Sequence, residues 1–181
     1  MKLQKTNIKN LVIIELERHV DSRGWFIESH NKFSLEKIGI LVDFVQDNHS
    51  YSAQKGTLRG LHLQKAPFEQ NKLVRCTRGK ILDIAVDLRK NSETYKTWFS
   101  LELTDSNNKS LYIPHGFAHG FITLTDNCEV QYKVDKTYNK DSEITIIYND
   151  EQINVDWGFT PIHISEKDLS GKTLKELENY L

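Results

Sequence analysis

The chain has 181 residues, and its 24 Lys and Arg against 25 Asp and Glu give a formal net charge of -1, a balance that excludes a general nucleic-acid binder. With 38% hydrophobic and 27% charged residues, the composition indicates one globular domain over residues 1–181. There is no apolar run of roughly 18 residues and no signal-peptide h-region, and the only cysteines are Cys76 and Cys128, so we expect a cytoplasmic protein without a membrane partner.

Short β-rich runs separated by turn clusters follow one another along the chain. Their spacing of about 8–12 residues is typical of a β-sandwich or barrel. The longest signal is a hairpin, in which residues 73–77 and 80–88 flank a turn at Arg78 and Gly79. The predicted strands cover residues 11–16, 24–29, 44–51, 73–77, 80–88, 98–103, 110–113, 120–124, 129–134 and 144–148.

Helix signals are few and short. Residues 34–38 predict one or two turns capped by Ser34. Near the chain end, Thr173 and Glu176 have the spacing of a capping box, which predicts a short helix. Its apolar side would carry Leu174, Leu177 and Leu181. The sequence therefore predicts a mostly β protein with a few short helices.

Two glycine-bracketed motifs place histidines in strand-like surroundings. The first, GTLRGLHLQ, covers residues 56–64 and contains Arg59 and His62; the second, IPHGFAHGF, covers residues 113–121 and contains His119. A histidine motif at residues 56–64 followed by Pro-x-Gly-x-x-His within residues 113–121 resembles the pair of motifs found in the cupin superfamily. That resemblance implies a jelly roll, also called a double-stranded β-helix.

The two motifs do not supply a convincing metal site. In the metal-binding cupins that this chain resembles, the first motif carries a second histidine. At that position this chain has Gln64, which is a poorer metal ligand. Glu69 is the one further residue that we consider for completing a site, but three strong ligands are not evident, and we expect no metal. We interpret the other five histidines as hydrogen-bonded structural residues: His19, His30, His49, His115 and His163.

Taken together, the segments resemble the dTDP-4-dehydrorhamnose 3,5-epimerase family nearly from end to end. The order and spacing of the matching segments carry the resemblance, and the departures are Leu63, where an aromatic residue is usual, and Ile164, where Leu is usual. The match covers residues 21–28, 45–52, 56–64, 72–74, 83–89 and 113–121, then Tyr132, Lys133, Tyr138, Glu143, Asn149, Asp150, Trp157 and residues 164–168.

The resemblance implies catalytic roles for four residues and no cofactor. His62 corresponds to the base that removes a proton next to a ketone, and Asp168 to the carboxylate that orients it. Lys72 corresponds to the cation beside the developing oxyanion. Tyr132 corresponds to the proton donor, because a phenol with a pKa of about 10 is protonated at neutral pH.

The resemblance also implies a substrate site shared between two subunits of a homodimer. An N-terminal segment of about residues 1–50 would be exchanged, bringing Arg23, Phe26 and Glu28 to the partner's site. Arginines would bind the diphosphate and aromatic residues the thymine. The further substrate contacts implied are Gln46, Asn48, Arg59, His119, Tyr138, Glu143 and Lys167. We also infer that Asp83 orients His119, unless Asp83 and Asp87 simply face solvent.

Three interpretations of the activity stay open from the sequence. The first is inversion at C3 and C5 of a dTDP-linked 4-keto-6-deoxy sugar, in the synthesis of dTDP-rhamnose and of cell-surface polysaccharide. The second is inversion at only one of these centres, or of another 4-keto nucleotide sugar. The third is a cupin that binds sugars without catalysis, which the presence of His62, Lys72, Tyr132 and Asp168 disfavours.

Overall fold

The structure, a computed structural model, describes residues 1–178 and 180. Short antiparallel strands dominate it. The strands are β1 (Lys2–Lys5), β2 (Val12–Glu15), β3 (Arg18–Asp21), β4 (Gly24–Ile27), β5 (Gln46–Ser52), β6 (Thr57–Gln64), β7 (Lys72–Arg78), β8 (Lys80–Asp87), β9 (Trp98–Thr104), β10 (Lys109–Ile113), β11 (Phe117–Thr123), β12 (Cys128–Val134), β13 (Glu143–Thr145) and β14 (His163–Ile164). The helices are α1 (Lys32–Lys37), α2 (Glu166–Leu169), α3 (Leu174–Leu177) and a 3-10 turn at Lys140–Ser142.

The strands form two large sheets and one separate hairpin. The first sheet has the order β1-β2-β10-β7-β12-β5, and the second has the order β13-β6-β11-β8-β9, with β14 parallel to β6. Strands β3 and β4 form a two-stranded sheet of their own. The crossing strand order confirms the predicted jelly roll, in which consecutive strands alternate between two facing sheets.

The main core lies between the sheets. Val74 and Leu111 of the first sheet pack with Ile81 and Leu103 of the second, all of them completely buried. A second apolar cluster covers the other face of the second sheet, where Trp157 and the C-terminal helix pack. Because both faces of this sheet are covered, β11 and most of β8 at its centre are buried.

Strand β8 shows the consequence of this double cover. Its two sets of alternating side chains are both buried, and Asp83 and Asp87 are 0% exposed, so the solvent-facing interpretation of these residues is wrong. Asp87 accepts hydrogen bonds from Arg89, Ser92 and Thr94. Although burial opposes its ionisation, these bonds lower the pKa of Asp87 to about 2. Asp87 therefore fixes the loop that leaves the strand.

Several predicted boundaries shift in the structure. Helix α1 starts at Lys32 rather than Ser34, because the Asn31 side chain caps it by accepting a hydrogen bond from the Ser34 amide. The strand predicted for residues 144–148 is Glu143–Thr145. The capping box at Thr173 is confirmed, and Leu174 and Leu177 are buried. Leu181, predicted for the same helix face, lies outside the described residues. The helices in the described part of the chain are all too short to span a bilayer.

Candidate active site

A cavity of about 470 Å³ is lined by strands of both large sheets. Strands β5, β7 and β12 form one wall and strands β6 and β11 the other, with α2 and β13 at the rim. Eleven of the predicted site residues line it: Gln46, Asn48, Arg59, His62, Lys72, His119, Tyr132, Tyr138, Glu143, Lys167 and Asp168. Gln46 and Asp168, 122 positions apart in the sequence, thus meet in one site because the jelly roll folds β5, β6, β7, β11 and β12 around it.

His62 and Asp168 form a hydrogen-bonded pair on one wall. The distance from His62 Nε2 to Asp168 Oδ1 is 2.6 Å, and Asp168 also accepts a hydrogen bond from the Gly60 amide at 3.3 Å. Burial opposes ionisation of Asp168, but the hydrogen bond from His62 and further bonds hold its pKa below the ordinary value. An ionised Asp168 fixes the imidazole orientation and leaves the other ring nitrogen available to the cavity.

Lys72 lies beside this pair at the start of β7. Its Nζ is 3.5 Å from the carbonyl oxygen of His62, to which it donates. Lys72 is buried, and burial lowers its pKa to about 8, against the opposing attraction of Asp83 and Glu143. Lys72 therefore supplies a cation to the cavity at neutral pH.

A second hydrogen-bonded pair, His119 and Asp83, lies on the neighbouring strands β11 and β8 of the second sheet. His119 Nε2 is 2.8 Å from Asp83 Oδ1, so the contact inferred for Asp83 is present. Both side chains are buried, and burial lowers the pKa of His119 despite the nearby carboxylate. In the described residues Asp83 Oδ2 has no hydrogen-bond partner. The imidazole is thus a neutral group that can take part in hydrogen bonds on the floor of the cavity.

Tyr132 lies on the wall opposite His62. It belongs to β12, where it pairs with Asn48 and Val74 of the first sheet, whereas His62 belongs to the second sheet. Burial raises the pKa of Tyr132, so its hydroxyl stays protonated at neutral pH. The cavity therefore presents an imidazole and a phenol from two different directions.

The mouth of the cavity is polar and closely hydrogen-bonded. Glu143 accepts from the Tyr138 hydroxyl at 3.0 Å and from Lys167 Nζ at 2.6 Å. Burial opposes its ionisation, yet these two bonds keep the pKa of Glu143 below the ordinary value. Arg59 donates to Ser52 Oγ at 3.1 Å. The mouth thus carries aromatic, anionic and cationic groups suited to a polar, charged ligand.

Three predicted site residues do not line the cavity within this chain. Arg23 forms an ion pair with Asp21 at 2.6 Å, and Phe26 is 68% exposed in the β3–β4 hairpin. Glu28 accepts hydrogen bonds from Asn31 and Ser34 near the start of α1. The structure therefore brings together the predicted catalytic residues and most of the binding residues, but leaves this N-terminal group elsewhere.

Several lining residues were missed from the sequence. Ser50 follows Gln46 and Asn48 at the strand period of two, which was a usable signal. Ser165 caps α2 by accepting a hydrogen bond from the Asp168 amide, and a serine at this spacing was a usable signal for the start of that unpredicted helix. Gln70 and Phe121 carried no signal of their own.

The described residues offer no cluster of three His, Cys, Asp or Glu side chains that could hold a metal ion. Glu69, the residue considered for completing a site, is 3.8 Å from His115 rather than at His62. The side-chain amide of Gln64 binds main-chain atoms of Asn139. The residues present do not fit a cupin metal centre.

Comparison with known proteins finds the same family throughout. The family model for dTDP-4-dehydrorhamnose 3,5-epimerase matches residues 5–176. The chain is 43% identical to the dTDP-4-dehydrorhamnose 3,5-epimerase of Shigella flexneri over 182 residues, covering 100% of both chains.

Solved structures agree with the sequence comparison. The Bacillus anthracis dTDP-4-dehydrorhamnose 3,5-epimerase with TDP and PPi bound has a TM-score of 0.93 and 43% identity, over 96% of this chain and 99% of that one. The dTDP-6-deoxy-D-glucose-3,5-epimerase of Legionella pneumophila in complex with dTDP-4-keto-L-rhamnose has a TM-score of 0.94 and 39% identity, over 99% and 95%. The likeness covers fold and sequence together.

Proposed function

The chain belongs to the dTDP-4-dehydrorhamnose 3,5-epimerase family, a family of isomerases, and we propose that it converts dTDP-4-dehydro-6-deoxy-D-glucose to dTDP-4-dehydro-L-rhamnose. The observation that carries this proposal is one cavity with the His62–Asp168 pair on one wall and Tyr132 on the other. Inversion of a carbon next to a ketone needs a base on one face and an acid on the opposite face.

His62 is the base. The ketone at C4 acidifies the hydrogens on C3 and C5, because their removal gives a resonance-stabilised enolate. His62 takes each proton in turn on the nitrogen not bonded to Asp168, and the carboxylate at 2.6 Å stabilises the imidazolium that forms. Lys72 stabilises the negative charge that develops on the C4 oxygen. Each group thus acts on an atom that changes charge during the reaction.

Tyr132 completes each inversion. Its hydroxyl gives a proton to the enolate carbon from the face opposite His62, and solvent restores the proton to the phenolate. Because burial raises the pKa of Tyr132, the phenolate is a strong base and the neutral phenol is the resting form. Exchange of protons between the two walls through solvent lets the cycle repeat at the second carbon.

Different residues are suited to the thymine base, to the diphosphate and to the rest of the sugar nucleotide. The Tyr138 ring, 52% exposed at the mouth, offers a face on which thymine can stack. Arg59 is a cation for the diphosphate, and Lys167, Glu143, Gln46 and Asn48 supply polar contacts around the sugar nucleotide.

We propose that the site is completed in a homodimer. The segment of about residues 1–50 contains β1 and β2, which extend the chain's own sheet, and the β3–β4 hairpin, which forms a separate sheet. On this hairpin Val20, Trp25 and Phe26 are 75%, 56% and 68% exposed, an apolar surface that a second subunit would bury. Seating it in the partner's site would add the Arg23 guanidinium to the diphosphate contacts.

Subunit complementation tests the shared site. Arg23→Ala and His62→Ala proteins should each be nearly inactive, and mixing them with subunit exchange should restore activity. The heterodimer would contain one site with both residues intact. A cross-linked or tagged heterodimer that is purified and still inactive would show that each site is built from one chain.

The pH dependence of kcat/KM should report the charge of Lys72. Burial lowers the pKa of Lys72 to about 8, so its cation is present below that pH and is lost as the pH rises through it. We expect kcat/KM to fall with rising pH above about 8. In Lys72→Arg the guanidinium keeps its charge, so the alkaline decline should disappear even if the rate is lower. An unchanged decline in this variant would assign it to another group.

Activity should not depend on a metal or cofactor. Gln64 stands at the position of a metal-ligating histidine, and its amide binds the main chain. We therefore expect full activity after prolonged EDTA treatment, measured against an untreated sample. Inactivation by EDTA together with stoichiometric zinc, iron or manganese in the purified protein would contradict this.

We also propose that the protein works in the cytoplasm. Cys76 and Cys128 are both buried free thiols in the described structure. Burial raises the pKa of the Cys76 thiol to about 12, which makes it unreactive. Free thiols are typical of a reducing compartment.

The product of the reaction tests the proposed function. Incubation with dTDP-4-dehydro-6-deoxy-D-glucose should give dTDP-4-dehydro-L-rhamnose, identified by its proton NMR couplings at C3 and C5. A product inverted at only one carbon would favour the monoepimerase alternative, and tight binding without any product would favour a sugar-binding cupin.

A further inference from the structure

We propose that Gln64 is a positioning residue that fixes the Tyr138–Glu143 edge of the nucleotide site through the main chain of Asn139. The inference rests on the proposed function, because it takes dTDP as the ligand of that site. Gln64 is the residue at which the first motif departs from metal-binding cupins, and the proposed reaction gives it no chemical role.

The amide of Gln64 bonds one residue of the facing loop through both its nitrogen and its oxygen. Its Nε2 donates to the Asn139 carbonyl at 2.7 Å, and its Oε1 accepts from the Asn139 amide at 2.9 Å. Gln64 is only 6% exposed, so these two bonds are shielded from water. A primary amide is the side chain that can both donate and accept in this geometry. An apolar side chain of the same length would leave both main-chain groups of Asn139 unpaired.

Asn139 is connected to Glu143 by a short 3-10 turn. The Asn139 side chain caps the 3-10 turn Lys140–Ser142 by accepting from the Ser142 amide at 3.0 Å. The turn leads directly into β13, where Glu143 pairs in register with Gln64 itself. Gln64 therefore bonds one end of the segment from Asn139 to Glu143 through its side chain, and it lies directly opposite the other end in the β6–β13 pair.

Tyr138 depends on the same anchor. Its side chain is largely exposed, so packing alone does not fix the ring. The ring is held by its hydroxyl on Glu143 at 3.0 Å and by its own main chain, whose amide donates to Gln46 Oε1 at 3.2 Å. Release of the adjacent Asn139 main chain would free the Tyr138 ring and shift the carboxylate it binds.

The catalytic pair is independent of this anchor. His62 is held by Asp168, which α2 carries and the Gly60 amide supports. Neither of these contacts involves Asn139. Loss of the Gln64 amide should therefore weaken nucleotide binding far more than it slows proton transfer in the bound complex.

Gln64→Met tests the proposal, with Gln152→Met as the matched control. Gln152 is exposed and accepts from Lys96 at 2.6 Å, away from the cavity lining. We expect Gln64→Met to raise the Kd of dTDP by calorimetry, and the KM of the sugar nucleotide, about tenfold, since unpairing buried groups has effects of this order. The kcat should change less than about threefold. The control should match the wild type.

Gln64→Glu adds a readout that general destabilisation would not move. Its carboxylate would accept from the Asn139 amide but repel the Asn139 carbonyl, whereas the protonated acid reproduces both bonds. The dTDP affinity relative to wild type should therefore recover as the pH falls from about 8 to about 5.5, since burial raises the pKa of a carboxyl. Nearby His62, Lys72 and Glu143 titrate in both proteins, and the ratio to wild type removes their shared effect.

The outcomes separate this inference from the proposed function. Failure of the wild type to bind dTDP would overturn the proposed function. A wild type that binds dTDP, with Gln64→Met binding equally well, would overturn the positioning role alone. A fall in kcat with unchanged KM would also overturn it, because that pattern indicates loss of folded enzyme or a direct catalytic role. Should Gln64→Met fail to fold, the pH-dependent affinity of Gln64→Glu decides, and a ratio that stays constant with pH contradicts the proposal.

Discussion

The His62→Ala variant is expected to lose epimerisation and deuterium exchange together. General base catalysis contributes about 10²–10⁴-fold, and no other group bonded to Asp168 can replace the imidazole. The Asp168 carboxylate is buried and hydrogen-bonded to the Gly60 amide and to His62, so we expect it to orient the base and not to act as one. The measurement is proton NMR of the 4-keto sugar nucleotide in heavy water, with each variant at the same concentration of folded protein.

His163→Ala is the matched control for this variant. His163 lies on β14 and does not line the cavity, so its removal should leave exchange at the wild-type rate. Both variants should still bind dTDP. Wild-type exchange in a folded, dTDP-binding His62→Ala protein would show that a different group removes the proton.

The Tyr132→Phe variant is expected to separate exchange from inversion. The substitution removes one hydroxyl and keeps the ring that packs against the core cluster between the sheets. His62 on the opposite wall should still form the enolate, and the imidazolium can exchange its proton with solvent and return a deuteron to the same face. Exchange with retention should therefore outrun inversion, which we expect to fall by about 10²-fold or more.

Tyr95→Phe is the matched control for this second variant. Tyr95 packs on the other apolar cluster and lies outside the cavity lining, so its hydroxyl should not matter for turnover. Near-normal inversion by Tyr132→Phe would show that Tyr132 only packs. Equal loss of exchange and inversion would instead place Tyr132 in formation of the enolate, contrary to its role as the late proton donor.

The strand pattern of the sequence predicted a β-sandwich or barrel because period-two alternation and turn residues act locally, whereas the jelly roll was implied by the resemblance to cupins. What it could not predict was which alternating face meets water. Strand β8 is central in a sheet that is covered on both sides, so Asp83 and Asp87 are buried although they alternate with apolar residues. Burial of this kind depends on Trp157 and the C-terminal helix, which are distant in sequence.

The cavity residues were predicted from the resemblance rather than from physical pattern. His62 and His119 drew attention through their glycine-bracketed motifs, but nothing local in the sequence indicates that Asp168 reaches His62 across 106 positions. The long-range pairing of α2 with β6 sets that contact. Gln64 is the opposite case. The sequence identified it as a departure from the metal-binding cupins, but only the position of Asn139 in the structure explains its contacts.

In the homodimer that we propose, Arg23, Phe26 and Glu28 would reach a site only through a second chain. The hairpin sequence gives a short two-stranded sheet, but Trp25 and Phe26 on it remain 56% and 68% exposed in the described residues of one subunit. Local sequence patterns specify the hairpin, whereas its proposed contribution to a partner's site would be a property of the assembly. This is why complementation between variants is the informative experiment for these residues.

The most direct test of the two-wall mechanism is deuterium incorporation by the wild-type protein. The protein is incubated with dTDP-4-dehydro-6-deoxy-D-glucose in heavy water, and proton NMR follows the signals at C3 and C5. We expect loss of both signals, with one deuterium at each carbon of the dTDP-4-dehydro-L-rhamnose formed. Deuterium at only one carbon would contradict the double inversion, and deuterium at neither would contradict catalysis by His62 and Tyr132 altogether.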